Sequence, residues 1–147
     1  MYTIPISKTN IDLKITKEHL LSDVALKLCP AMYQEYIQGS QHIRAHVFRD
    51  KVYAALLTSN ELDWRENLDI PFEIIDLSQD IKNKLCDIVR LLELKMGIID
   101  LKLTKDNIPI WLEINPQGQF LFVEGISGLN LTSHFVNFLC QELSLIT

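Results

Sequence analysis

The sequence predicts an α+β fold, an antiparallel sheet with helices packed on one of its faces. Two observations carry this expectation. Four apolar runs that alternate with polar residues fall into two consecutive pairs, each joined by a short polar turn, as in two β-hairpins. Two longer segments space their apolar residues three and four apart, as a helix with one buried face does. At 147 residues, 48% hydrophobic and 22% charged, the chain has the size and composition of one globular domain.

Each element has a local reason. Tyr2 to Ile6 is short and apolar and reads as an edge strand, because Pro5 has no N–H to offer a central ladder. Lys17 to Leu28 carries Leu20, Leu21, Val24 and Leu28 at helical spacing and is stopped by Pro30. Residues 1–29 thus read as an N-terminal strand and helix, and residues 30–147 as the rest of a single compact domain. Ala31 to Ile37 reads as a strand. Ile43 to Phe48 and Val52 to Thr58 form the first hairpin around Arg49, Asp50 and Lys51. Ser59 to Pro71 is polar and loop-like, and Phe72 to Ile75 is a short strand. Ser78 is placed to cap a helix to about Lys95, with Asp80 in its first turn and Gly97 to end it. Its apolar stripe is Ile81, Leu85, Ile88, Val89 and Leu92. Ile98 to Thr104 and Ile108 to Asn115 form the second hairpin around Lys105, Asp106 and Asn107. A glycine-containing loop leads to a last helix from about Asn130 to Leu143, buried through Leu131, Phe135, Phe138 and Leu139.

Composition excludes several function classes. The net charge is −5 and the 14 basic residues are scattered, which disfavours a nucleic-acid groove. The five glycines, Gly39, Gly97, Gly118, Gly125 and Gly128, assemble neither G-x-G-x-x-G nor a Walker A loop. Cys29, Cys86 and Cys140 are odd in number, far apart and form no C-x-x-C, which fits reduced packing thiols in the cytosol. No signal-peptide pattern opens the chain, and no apolar run reaches the roughly 18 residues of a membrane span. The expectation is a cytoplasmic protein with neither a nucleic-acid nor a membrane partner.

The second hairpin carries the most informative side chains. Ile99, Leu101 and Leu103 share one face of its first strand, with Asp100 and Lys102 opposite. On the second strand Ile110, Leu112 and Ile114 are one face, and Trp111, Glu113 and Asn115 the other. A four-residue loop, Lys105 to Ile108, then sets Asp100 directly across from Glu113, Asn115 one step along, and Lys102 across from Trp111. Opposed carboxylates repel. Two explanations are open here: a bound cation held by hard oxygen ligands, the set magnesium accepts, or a solvated strand face that Lys102 partly neutralises.

Glu113-Ile114-Asn115-Pro116, preceded by Gly97-Ile98-Ile99-Asp100, resembles the metal-binding end of the ATP-grasp ligases. Gln34-Glu35-Tyr36-Ile37 resembles the hinge strand of that superfamily, whose backbone meets the adenine. Ile43-Arg44-Ala45-His46-Val47 resembles the strand whose arginine faces the phosphates, and Asp63-Trp64-Arg65 the loop that covers the acyl-phosphate. The stretch Trp111 to Glu124 is most similar to the ATP-grasp maturases of ribosomally made peptides, the microviridin or graspetide type. Ribosomal-protein glutamate ligases and glutathione synthetases are more distant relatives. The motifs run in order between Pro30 and Leu143.

The resemblance implies the C-terminal subdomain of an ATP-grasp module, with ATP and Mg²⁺ as cofactors. It also implies a nucleotide and a peptide or protein substrate as partners. Asp100, Glu113 and Asn115 would hold the magnesium, and Arg44 would meet the γ-phosphoryl group. Arg65 would position the acyl-phosphate or the acceptor, and Gln34, Glu35, Tyr36 and Ile37 would line the adenine pocket. The sequence departs from the pattern in two places. His42 stands where the peptide maturases usually carry an acidic residue; it shares a strand face with His46, with no third metal partner in view. Residues 1 to 30 contain no glycine and are too short for the family's glycine-rich lid. The expectation is therefore the second part of an ATP-grasp ligase, completed by a missing first subdomain or a partner chain. The alternative is a catalytically incomplete remnant that serves as a protein- or peptide-binding module, in the form of a homodimer.

Overall fold

The computed structural model describes residues 2–6, 11–15, 17, 33–67 and 69–145. The first hairpin pairs β4 (Gln41–Phe48) with β5 (Lys51–Thr58), Phe48 opposite Lys51, through a tight turn at Arg49 and Asp50. The second pairs β7 (Met96–Leu103) with β8 (Pro109–Asn115). With β6 (Phe72–Ile75) they make a five-stranded antiparallel sheet in the order β6-β5-β4-β7-β8, so the two hairpins meet along β4 and β7. A smaller sheet joins β1 (Tyr2–Ile6), β2 (Ile11–Ile15) and β3 (Gln34–Glu35) in the order β2-β1-β3.

The class is α+β as expected, but the helices lie on both faces of the sheet. Odd-numbered β4 residues Ile43, Ala45 and Val47 pack with Ile99, Leu101 and Ala54 against Leu85, Cys86 and Val89 of α1 (Gln79–Leu91). The opposite face buries Phe48, Ala55 and Leu57 against Val123 of α2 (Leu121–Ser127) and Leu131 and Phe138 of α3 (Leu131–Leu143). The central strand β4 is buried on both sides from His42 to Phe48. Two apolar faces need two covers, which a reading of each helix by itself does not disclose.

Other expectations shift locally. β1 is the middle strand of its sheet, not an edge; β3 pairs only with Tyr2 and Thr3, so Pro5 lies past that register and its missing N–H costs no bond there. The strand expected over Ala31 to Ile37 is confined to Gln34–Glu35 among the described residues. The helix expected over Lys17 to Leu28 lies outside the described residues, apart from Lys17. Ser78 does cap α1, accepting from Ile81 N–H at 3.4 Å, but the helix stops well before Gly97. Glu93 takes a left-handed φ of 56°, and the N–H groups of Glu93 and Leu94 turn back to the carbonyls of Arg90 and Val89. Gly97 instead lies inside β7, where an added Cβ would stand 2.6 Å from Ile114 Cδ1. The loop before the last helix contains the unanticipated α2, and Leu139 of α3 is exposed instead of buried. Cys86 is a buried free thiol as expected, whereas Cys140 is exposed and free; Cys29 lies outside the described residues. Among the described residues, no helix is long and apolar enough to cross a membrane.

Candidate functional site

The even-numbered residues of β4 alternate away from α1 and put His42, Arg44 and His46 on the α2–α3 face. Pairing then builds rows across the sheet. Ala55, Arg44, Asp100 and Glu113 stand side by side on β5, β4, β7 and β8, and Leu57, His42, Lys102 and Ile110 form the next row. Asp100 is opposite Glu113 as expected, although the pairing between this pair and the turn is shifted by one residue from the expected register. A β-bulge follows: Trp111 stands across from Leu101 and Lys102 across from Ile110, so Lys102 does not meet Trp111. The extra residue is Leu112. It leaves the apolar face assigned to it and lines the site beside His42, Asp100 and Glu113.

The opposed carboxylates are flanked by guanidinium groups from elsewhere in the chain. Arg44 Nη1 donates to both Asp100 oxygens at 2.8 Å, and Arg44 Nη2 donates to the Gln119 carbonyl at 3.0 Å. The Arg44 guanidinium carbon lies 5.8 Å from the Trp64 ring centre and 5.5 Å from that of Phe122. Its Nε is buried with no acceptor. Burial pushes the Asp100 carboxyl above the usual carboxylate range; Arg44 opposes that shift and Glu113 adds to it. Arg65 Nη1 stands 3.6 Å from the exposed Glu113 carboxylate.

Arg65 owes its place to its neighbours. Asp63, almost fully buried, accepts from Arg65 N–H at 3.0 Å, from Nε at 2.7 Å and from Nη2 at 2.9 Å. Asp63 thereby caps the short 3₁₀ turn Trp64–Glu66 and fixes the guanidinium in a two-pronged grip. The adjoining Trp64 packs edge-on to Phe72 at 5.6 Å and along Phe122 at 6.2 Å, which anchors this loop to the core. The Asp63-Trp64-Arg65 run was legible as a motif, but the anchoring by Phe72 and Phe122 had no sequence signal.

At the other end, His42 Nε2 accepts from Lys102 Nζ at 2.9 Å, both side chains being buried. Burial and then Lys102 push His42 down to about 4, so its ring is neutral and free to accept. His46, fully buried, donates from Nδ1 to the Tyr53 carbonyl at 3.3 Å and is likewise pushed down to about 4, by burial and then Arg44. The two histidines therefore have separate partners, and among the described residues no group of three His, Cys, Asp or Glu side chains could hold a metal.

These residues line one trough. Its widest part, about 510 Å³, is walled by Arg44, Trp64, Arg65, Asp100, Glu113, Asn115, Gln117, Gln119 and Phe122. It shares Trp64, Arg65, Asp100 and Glu113 with a narrower hollow that also touches Gln34, His42, Leu62 and Leu112. That hollow continues along Gln34, Glu35, Tyr36, Ile37 and Lys102. All nine residues singled out from sequence line this trough, together with Trp64, Gln117, Gln119, Phe122, His42, Lys102 and Leu112. Two carboxylates and an amide oxygen on one wall are a donor set that fits magnesium; Asn115 Oδ1 already accepts from Gln117 N–H at 2.9 Å and keeps a second lone pair.

Comparison with solved structures places this architecture. The chain is similar to the ATP-grasp ligase PsnB complexed with a phosphomimetic variant of minimal precursor, Mg and ADP. The identity is 23% and the TM-score 0.79, over 95% of this chain and 46% of that one. It is similar to the macrocyclase MdnC bound with precursor peptide MdnA from Microcystis aeruginosa MRC, with 30% identity and a TM-score of 0.67, over 78% and 37%. It is also similar to a RiPP-associated ATP-grasp ligase of Chryseobacterium gregarium in complex with ADP and a leader and core peptide, with 21% identity and a TM-score of 0.70, over 86% and 42%. The chain spans less than half the length of each. No protein-family profile and no curated protein matches it. The fold is ATP-grasp maturase-like.

Proposed function

We propose that this chain is the ATP- and magnesium-binding part of an ATP-grasp ligase that acts in peptide modification. The observation that carries the proposal is the continuous trough. Oxygen ligands and two arginines stand at one end of it, and the Gln34–Ile37 segment at the other, as an elongated nucleoside triphosphate requires. The neighbours support it, since PsnB is complexed with Mg and ADP and MdnC with a precursor peptide.

In this reading a substrate carboxylate oxygen attacks the γ-phosphorus of ATP and ADP departs. An amine or hydroxyl then attacks the acyl carbon and phosphate leaves. Such a transfer asks for positioning and charge neutralisation more than covalent help. Asp100, Glu113 and Asn115 would hold magnesium, which when bound offsets the negative charge of the phosphate oxygens. Arg44 offers a planar fork of donors to the γ-phosphoryl oxygens. Arg65, kept rigid by Asp63, faces the same space and positions the acyl-phosphate or the acceptor. Gln34 to Ile37, with Leu112 across the hollow, flank the base. A further subdomain, in the same protein or a partner chain, would close the trough.

Calorimetric titration with MgATP and MgADP tests this. Magnesium-dependent binding that Glu113→Ala abolishes is the expected result. No binding at millimolar nucleotide, both by the chain itself and with a companion ATP-grasp subdomain added, overturns the proposal.

A further inference from the structure

We infer that Arg44 makes this cleft selective for a divalent cation that arrives together with an oxyanion, and closes it to the free cation. The inference rests on the metal reading of Asp100, Glu113 and Asn115. Both oxygens of Asp100 are engaged by Arg44 Nη1 at 2.8 Å, and the pair is nearly buried, with side chains 9% and 15% exposed. A cation that took Asp100 would stand against a guanidinium with little water between them, and like charges at that range repel strongly. Arg44 cannot simply withdraw: its Nη2 is tied to the Gln119 carbonyl, and Trp64 and Phe122 rings lie within 5.8 Å of its guanidinium carbon.

The same arginine is incompletely satisfied where it stands. Arg44 Nε is buried without an acceptor, and a buried donor without a partner is costly. A phosphate-bearing ligand supplies several acceptor oxygens and a compensating negative charge at one stroke. It offsets the guanidinium charge where Arg44 stands, so that Asp100 can face the cation. Metal and oxyanion are thereby coupled through one side chain. Linkage makes the coupling reciprocal: the anion raises metal affinity by the factor by which the metal raises anion affinity. The cleft is thus built to pass over free magnesium and to accept the chelated form.

The test uses the full chain, Mn²⁺ as the cation and inorganic pyrophosphate as the anion, and follows paramagnetic broadening of the Asn115 side-chain amide signals. The wild type is expected to broaden at about tenfold lower Mn²⁺ when pyrophosphate is present. Arg44→Gln is expected to broaden with Mn²⁺ alone at about tenfold lower concentration than the wild type, with no further gain from pyrophosphate. The wild-type comparison needs no variant, so it stands even if Arg44→Gln folds poorly. Equal broadening of the wild type with and without pyrophosphate overturns the inference and leaves the metal site intact. No broadening of either protein under any condition overturns both the inference and the metal reading.

Discussion

Lys102 Nζ donates to His42 Nε2 across 2.9 Å, between cross-strand neighbours that are 6% and 4% exposed. The bond requires a neutral imidazole, and protonating His42 would set two cations side by side under the sheet. The pair belongs to the inner end of the trough, next to the Gln34–Ile37 segment.

Acid should therefore destabilise this fold through its histidines. His42 and His46 are each held down to about 4, against 6.5 for an exposed ring. Between those values the unfolded chain binds protons that the folded chain refuses, so stability is full above about pH 6.5 and falls as pH drops towards about 4. The slope is roughly 1 kcal/mol per pH unit for each histidine. Urea unfolding midpoints at pH 7, 6 and 5 measure it; His46→Gln should flatten the profile by about half.

Glu113 and Asp100 should separate binding from folding. Glu113 is exposed and meets Arg65 only at 3.6 Å, so Glu113→Ala should change stability by less than about 0.5 kcal/mol while abolishing magnesium-dependent nucleotide binding. Asp100→Ala strands the buried Arg44 guanidinium and should cost about 3–5 kcal/mol besides. Thermal unfolding and calorimetry on the same two preparations check the contrast.

Trp64 should matter to the site through packing. Its ring lies between Phe72 and Phe122 and is 6% exposed. Trp64→Ala should cost about 3–5 kcal/mol and free the Asp63–Arg65 turn. Chemical denaturation gives the first; the second should appear as faster hydrogen exchange at the Arg65 amide, which Asp63 now holds.

Of the five glycines, Gly39 leaves the least room for a side chain. A Cβ there would stand 2.0 Å from the Leu103 carbonyl oxygen, and its φ of 154° suits glycine alone. Gly39→Ala should cost about 1–3 kcal/mol and push the Gln34–Ile37 segment off the end of β7. Nucleotide affinity measured beside stability would show both effects; an unchanged stability would refute the steric argument.

Short-range periodicity carries part of this structure without help from distant residues. Alternation within two hairpins marks most of the strand faces, but the Asp100–Glu113 pair expected from a four-residue loop is reached only through the bulge at Leu112, because the turn end of that hairpin pairs one residue out of the expected register. Ser78 marked the start of α1, since a hydroxyl before a helical stripe satisfies orphan amides regardless of the rest of the fold. The likeness of Gly97–Asp100 and Glu113–Pro116 to known motifs pointed to the fold before any packing was known. The remaining features depend on contacts between distant parts of the chain. The Arg44–Asp100 contact joins residues 56 apart, through the pairing of β4 with β7, and no local pattern announces which strands from different hairpins will adjoin. The bulge that brings Leu112 into the trough, the end of α1 at a left-handed Glu93, and the division of helices between two faces arise from the same source. Each is a compromise between a local preference and a neighbour supplied by distant chain. The opposed carboxylates stand beside two arginines for that reason: charge is balanced in space, by Arg44 from the adjoining hairpin and by Arg65 from the turn that follows it.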